Sequence, residues 1–183
     1  MPVYPVRGVA DLYNRLTGDT AGKDVVIIDT MGQSDTVAQD VADHAAKAAD
    51  LVVIPCRTGR HDLAAAIATY HDSLAAGGGE TARPRAVVVL TQTKPKCQIA
   101  AYARKTLAAE GVTVLTAELP NRAEHIEVSY FGGSPAHCAA FSDERRFDAT
   151  DRRRYAVAAS DIDAILAELQ ARFSVPYRPL PPR

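Results

Sequence analysis

The stretch "DVVIIDTMGQSD", residues 24–35, leads Val25, Val26, Ile27 and Ile28 into an acid, Asp29, and then turns over Gly32. A strand buried on both faces reads as an unbroken apolar run, and ligands of such parallel sheets sit beyond the strands' carboxyl ends. An acid at that place can hold a cation or a phosphate-bound magnesium, although Asp also simply begins turns. His44, His61, His71, His125 and His137 show neither HExxH nor a CxxC partner, so surface and packing roles are expected of them. Cys56, Cys97 and Cys138 lie far apart, which suits neither a disulfide framework nor zinc and fits a reducing compartment. No GxSxG elbow occurs, and "GGSP" at 132–135 reads as a turn.

Two basic groups, Arg145-Arg146 and Arg152-Arg153-Arg154, flank the start of the last helical pattern. They read as a solvated face paired with Asp143, Glu144, Asp148 and Asp151. Arg57 and Arg60 follow an apolar run and could face a phosphate, a dimer partner or solvent alone.

The segments that must position these residues alternate between strand-like and helical periods. "VYPV" (3–6) is at best an edge strand because of its proline, and "VADLYNRL" has helical spacing. "DVVIID" is the first strong strand. "DTVAQDVADHAAKAAD" is a helix with Asp35 or Ser34 as N-cap, and "LVVIP" is a buried strand halted by Pro55. "HDLAAAIATYHDSLAAGGG" is a helix stopped by a glycine triplet, and "RAVVVLT" a third buried strand. "QIAAYARKTLAAEG" is a helix closed by Gly111, and "VTVLTAEL" a further strand. A final helix from about Thr150 to Phe173 carries Tyr155, Ile162, Leu166, Leu169 and Phe173 as its stripe. Strands separated by helices of this length predict the α/β class, with a mostly parallel sheet flanked by helices. One domain is expected over residues 1–173, then a proline-rich tail, 174–183.

A chain of 183 residues with 47% hydrophobic and 23% charged residues can bury a core as one domain. A net charge of −1 gives no global drive towards nucleic acid or an acidic membrane. No apolar run approaches a membrane span and the N-terminus lacks a signal-peptide pattern. The expected location is the cytoplasm, with no membrane partner.

Read in order, these pieces resemble the ParA/MinD group of P-loop ATPases, and ParA-type partition proteins most, from about Asp24 to Phe173. "VVIIDT" resembles that family's Walker B strand. "AADLVVIPCRTGRHDLAAAI" resembles its "ADxVLIPVxPSxxDLxxL" segment. "RAVVVLTQTKPKCQIAAYARKTLAAEGVTVLTAELPNRAEHIEVSYFGGSPAHC" resembles the stretch from the base-binding strand to "IPxRxxxxEAxxxGxPV". Several pieces in the right order carry more weight than a lone match.

The resemblance implies ATP and Mg2+ as cofactors, a homodimer around the nucleotides, non-specific DNA binding near the nucleoid, and a ParB-like partner in plasmid or chromosome segregation. Asp29 matches the Walker B acid, the magnesium ligand. Thr30 to Gln33 match the loop that senses the γ-phosphate, with Met31 in place of the usual proline and Gly32 able to offer its N–H. Thr91 and Gln92 stand where an asparagine often reads the adenine, and Pro120 and Asn121, beside Arg122, match the second base-flanking loop. Arg152, Arg153 and Arg154 match the late basic residues that touch DNA.

The family opens with a strand and KGGxGK followed by Ser or Thr, and neither GKS nor GKT occurs here. The only GK is Gly22-Lys23, and "AAGGGETARP" (75–84) reads as a helix stop and linker. A P-loop surrounds the β-phosphate with backbone N–H groups and a lysine, so this chain is expected not to hydrolyse ATP. Loss of the P-loop strand from beside "VVIID" and "LVVIP" would expose about 5–12 kcal/mol of buried aliphatic surface and two sheet edges. The expected explanation is a reading frame truncated at its N-terminus, and the alternative is a non-catalytic α/β dimerisation or regulatory module.

Overall fold

The computed structural model describes residues 3–19, 23–30, 36–76, 85–140 and 147–173. Its elements are α1 (Val9–Thr17), α2 (Thr36–Ala48), β1 (Leu51–Cys56), α3 (Arg60–Ala76), β2 (Arg85–Thr93), α4 (Ile99–Ala109), β3 (Leu119–Pro120), α5 (Ala123–Phe131), α6 (Pro135–Ala139) and α7 (Ala149–Phe173). The strands form a small sheet in the order β1-β2-β3, and β3 runs parallel to β2. This is an α/β fold. No described helix is long and apolar enough to cross a membrane.

The chain divides into two compact units, Met1–Val53 with Ala68–Ala86, and Ile54–Ile67 with Val87–Arg183. In the first, α1 packs on α2 by burying Leu12 and Ala45. The Tyr13 hydroxyl lies 3.1 Å from His44 Nδ1, with the rings edge-on. The second unit buries Val87, Val88, Leu90, Ala103, Leu107 and Leu115 completely. Its other packed cluster is Cys138, Phe147 and Tyr155, where Phe147 meets Phe131 and Tyr155 edge-on at 5.3 Å. The Tyr155 hydroxyl donates to Glu127 at 2.8 Å. Burial, and then this carboxylate, push the phenol up, so it remains a donor.

Several expected elements are recovered. α1, α2, α3 and α4 occupy their predicted segments, Gly111 closes α4 with φ 72°, and α7 begins within one residue of its expected start. Asp148 caps α7, its Oδ1 accepting from the N–H groups of Thr150 (2.6 Å) and Asp151 (2.8 Å). The expected caps Ser34 and Asp35, the glycine triplet and the proline-rich tail lie outside the described residues.

Other expectations are corrected. "DVVIID" is not a strand, because residues 25–30 join no ladder, and Val25, Val26 and Ile27 are exposed. An apolar run becomes a strand only where a neighbour receives its N–H and C=O groups, and no described residue does so here. "VYPV" likewise forms no strand. β1 does not stop at Pro55 and is only half-buried; it continues to Cys56, which an edge strand permits because its outer N–H need not be donated.

"VTVLTAEL" shrinks to one bridge, Val88 with Val114, before β3. The reason is that side chains take its backbone groups. Glu168 accepts the N–H groups of Thr116 (2.8 Å) and Ala117 (2.7 Å). Arg104 donates to the carbonyls of Leu115 and Thr116. Sequence periodicity also missed α5 and α6. Gly132 and Gly133, with φ 76° and 88°, do make a turn at "GGSP", and Ser134 then caps α6 by accepting from the His137 N–H.

Candidate functional site

β2 brings five consecutive buried residues, Ala86 to Leu90, to the carboxyl end of the sheet, where Thr91 pairs with Leu119 and Thr93 with Pro120. The register shifts between those pairs, and Gln92 at the shift has φ 53°, a left-handed conformation uncommon outside glycine. The shift leaves Gln92 exposed while Thr93 is 1% exposed. The Asn121 N–H donates to the Thr93 carbonyl at 2.9 Å, which ties the start of the next loop to the strand end. Thr91, Gln92, Pro120 and Asn121 are thereby gathered on two adjacent parallel ends.

Polar side chains brace this edge. Thr93 donates its hydroxyl to Glu118 Oε1 at 3.0 Å, and Arg104 donates to Glu118 Oε2 at 2.9 Å. Arg122 forks onto the Asp161 carboxylate of α7, a bond that holds the guanidinium more firmly charged, and His125 Nε2 stands 3.4 Å from the same carboxylate. Beyond Asn121 the chain is therefore fixed to α7 rather than left free. Sequence reasoning missed Arg104, Glu118 and Asp161, whose partners stand too far along the chain for any periodic signal. The braced strand end offers the exposed amides of Gln92 and Asn121 beside the half-buried Thr91, which suits hydrogen bonding to a flat polar ring.

Glu168 anchors α7 to the residues before β3. Burial favours its neutral form, but the N–H groups of Ala117 and Thr116, with Arg172 at 2.7 Å, outweigh that and hold its carboxyl below the usual range.

The remaining predicted residues fall elsewhere. Asp29 and Thr30 belong to the first unit, are exposed, and make no hydrogen bond or ion pair with any described residue. Met31, Gly32 and Gln33 lie outside the described residues, as do Arg145 and Arg146. Arg154, itself exposed, pairs with the buried Glu124 at 2.6 Å and with Asp151 at 3.5 Å, so it ties α7 to α5. Arg152 is half-buried with partners of its own, whereas Arg153 is exposed and pairs with no described residue.

At the end of β1, Arg57 grips Asp62 through Nε (3.0 Å) and Nη2 (2.9 Å). Burial, and secondarily Asp62, push the neighbouring Cys56 thiol up to about 11. That thiol is an inert core group at neutral pH. Among the described residues no three His, Cys, Asp or Glu side chains gather where they could hold a metal.

Compared with protein-family models and with curated proteins, the sequence matches none.

Proposed function

We propose that this chain is a ParA-like partition domain that keeps the base side of a nucleotide site and lacks the means to capture the triphosphate. The observation that carries this reading is the convergence of Thr91, Gln92, Pro120 and Asn121 on the parallel ends of β2 and β3. In parallel α/β sheets that edge is where ligands bind. The amide of Gln92, thrust outward by its left-handed backbone, and that of Asn121 are suited to an adenine edge. Tight binding of ATP with Mg2+ needs a cradle of backbone N–H groups and a lysine, which the sequence does not contain. Asp29 would serve the metal only when carried on a paired strand. Dimerisation around nucleotide, non-specific DNA binding, stimulation by a ParB-like partner and a cytoplasmic, nucleoid-associated setting follow from the same proposal.

The test is nuclear magnetic resonance titration with adenosine, together with calorimetry using Mg-ATP. Adenosine should shift the amide signals of Gln92 and Asn121 and leave those of α2 unmoved, while Mg-ATP should bind no more tightly than adenosine. Tight Mg-ATP uptake, or no shift at Gln92 and Asn121, would overturn the reading. A second reading, a non-catalytic α/β interaction module, is favoured by one observation: Asp29 stands on no strand.

A further inference from the structure

The run that ends in Asp29 raises a question of its own, separate from nucleotide. Val25, Val26 and Ile27 are 48%, 42% and 72% exposed, and Ile28 is half-buried. The four bond to no described residue through N–H or C=O. Proteins blunt an exposed edge of this kind with charge or proline inside it. Here the interior has neither, and the charges stand only at the ends, Lys23 and Asp24 before the run and Asp29 after it.

In a ladder side chains alternate, so pairing would set Lys23, Val25, Ile27 and Asp29 on one face and Asp24, Val26 and Ile28 on the other. The most exposed residue, Ile27, lies on the first face. Two antiparallel copies related by a two-fold axis can pair in only a few registers, and charge separates them. Opposed residues share a face, so the axis passes through one residue: centred on Ile27, the pairing sets Asp29 against Val25 at both ends, which leaves both charges unmatched. Centred on Val26, it sets Lys23 against Asp29 at both ends, Val25 against Ile27 twice between them, and Asp24 beside Ile28 on the opposite face. The second register satisfies both end charges.

We propose that Val25–Ile28 is a self-association strand that pairs antiparallel with the same segment of a second copy, with Lys23 of each copy opposite Asp29 of the other. The contact is isologous, as a two-fold interface requires. A strand this short buries well under the ~1,200 Å² of a stable interface, so the dimer is reversible and depends on concentration. No nucleotide is needed, so the proposal stands or falls apart from the nucleotide-site reading.

Sedimentation velocity on the full chain without nucleotide, from low to high micromolar, tests it. A reversible monomer–dimer equilibrium is expected, with amide hydrogen exchange across Val25–Ile28 slowing as concentration rises. Lys23→Asp places like charges at both ends and should weaken association about tenfold, and Lys23→Asp with Asp29→Lys should bring it back to within about threefold. Both residues are exposed, so the variants should keep the wild-type circular dichroism spectrum. A monomer at every concentration overturns the proposal, as does exchange at Val25–Ile28 that ignores concentration. Association that Lys23→Asp leaves unchanged, or that the double reversal fails to restore, overturns it equally.

Discussion

Val25–Ile28 and Val87–Leu90 are the same kind of sequence, four aliphatic residues in a row, and they end in opposite circumstances. The second run is 0–4% exposed at every position. Val88 donates its N–H to Thr113 at 2.8 Å and accepts from Leu115 at 2.9 Å, and its side chain is fully buried. The first run is exposed and unpaired among the described residues. Composition supplies only the apolar surface. What makes a strand is a neighbour that takes the backbone hydrogen bonds and a layer that covers the side chains.

Substitution should separate the two runs sharply. Leu90→Ala removes a fully buried side chain from a packed sheet and should cost about 2–5 kcal/mol in urea unfolding. Ile27→Ala, at a mostly exposed position, should change stability by about 0.5 kcal/mol or less. Equal losses would show that Val25–Ile28 is buried in solution and would break the comparison.

The next largest effect concerns Glu168, which substitutes for ladder partners before β3. Glu168→Gln keeps the shape but gives up a charged acceptor of two N–H groups, at about 1–2 kcal/mol. Its folded carboxyl lies below the ordinary range, so its contribution is complete above the unfolded value of about 4.3 and fades as pH falls through the folded value. Acid titration of wild type should therefore lose stability below that range, and Glu168→Gln should flatten this slope. An unchanged acid slope would show that Glu168 does not bear the strain of the broken strand.

The smallest effect is expected at the basic stretch of α7. If the chain binds DNA, Arg153→Ala should lower the slope of log affinity against log salt by about one and leave the melting temperature alone. Arg154→Ala should instead lower the melting temperature, because it leaves the buried Glu124 unpaired. The reverse pattern would exchange their roles.

Helices were the most legible part of the fold. α1 to α4 and α7 each carry several apolar residues at helical spacing, and Gly111 marks an end by chemistry that acts within a few residues. α6 is too short to show a period, and α5 exposes Ile126 and Tyr130, so an inside and an outside could not be distinguished by hydropathy. In the candidate site, Thr91, Gln92, Pro120 and Asn121 could be selected as a group from family-like motifs. Their bracing by Arg104, Glu118 and Asp161 could not, because those contacts join distant parts of the chain.

The sequence by itself determined the α/β class and the approximate bounds of α1 to α4 and α7, since the periods that mark these elements run through neighbouring residues. Only the tertiary structure decided which apolar run became the central strand, because a strand is completed by partners that its own residues do not name. It also decided which arginine is tied across the fold: Arg153 and Arg154 are adjacent and both exposed, and the position of Glu124 on α5 gives Arg154 a buried partner.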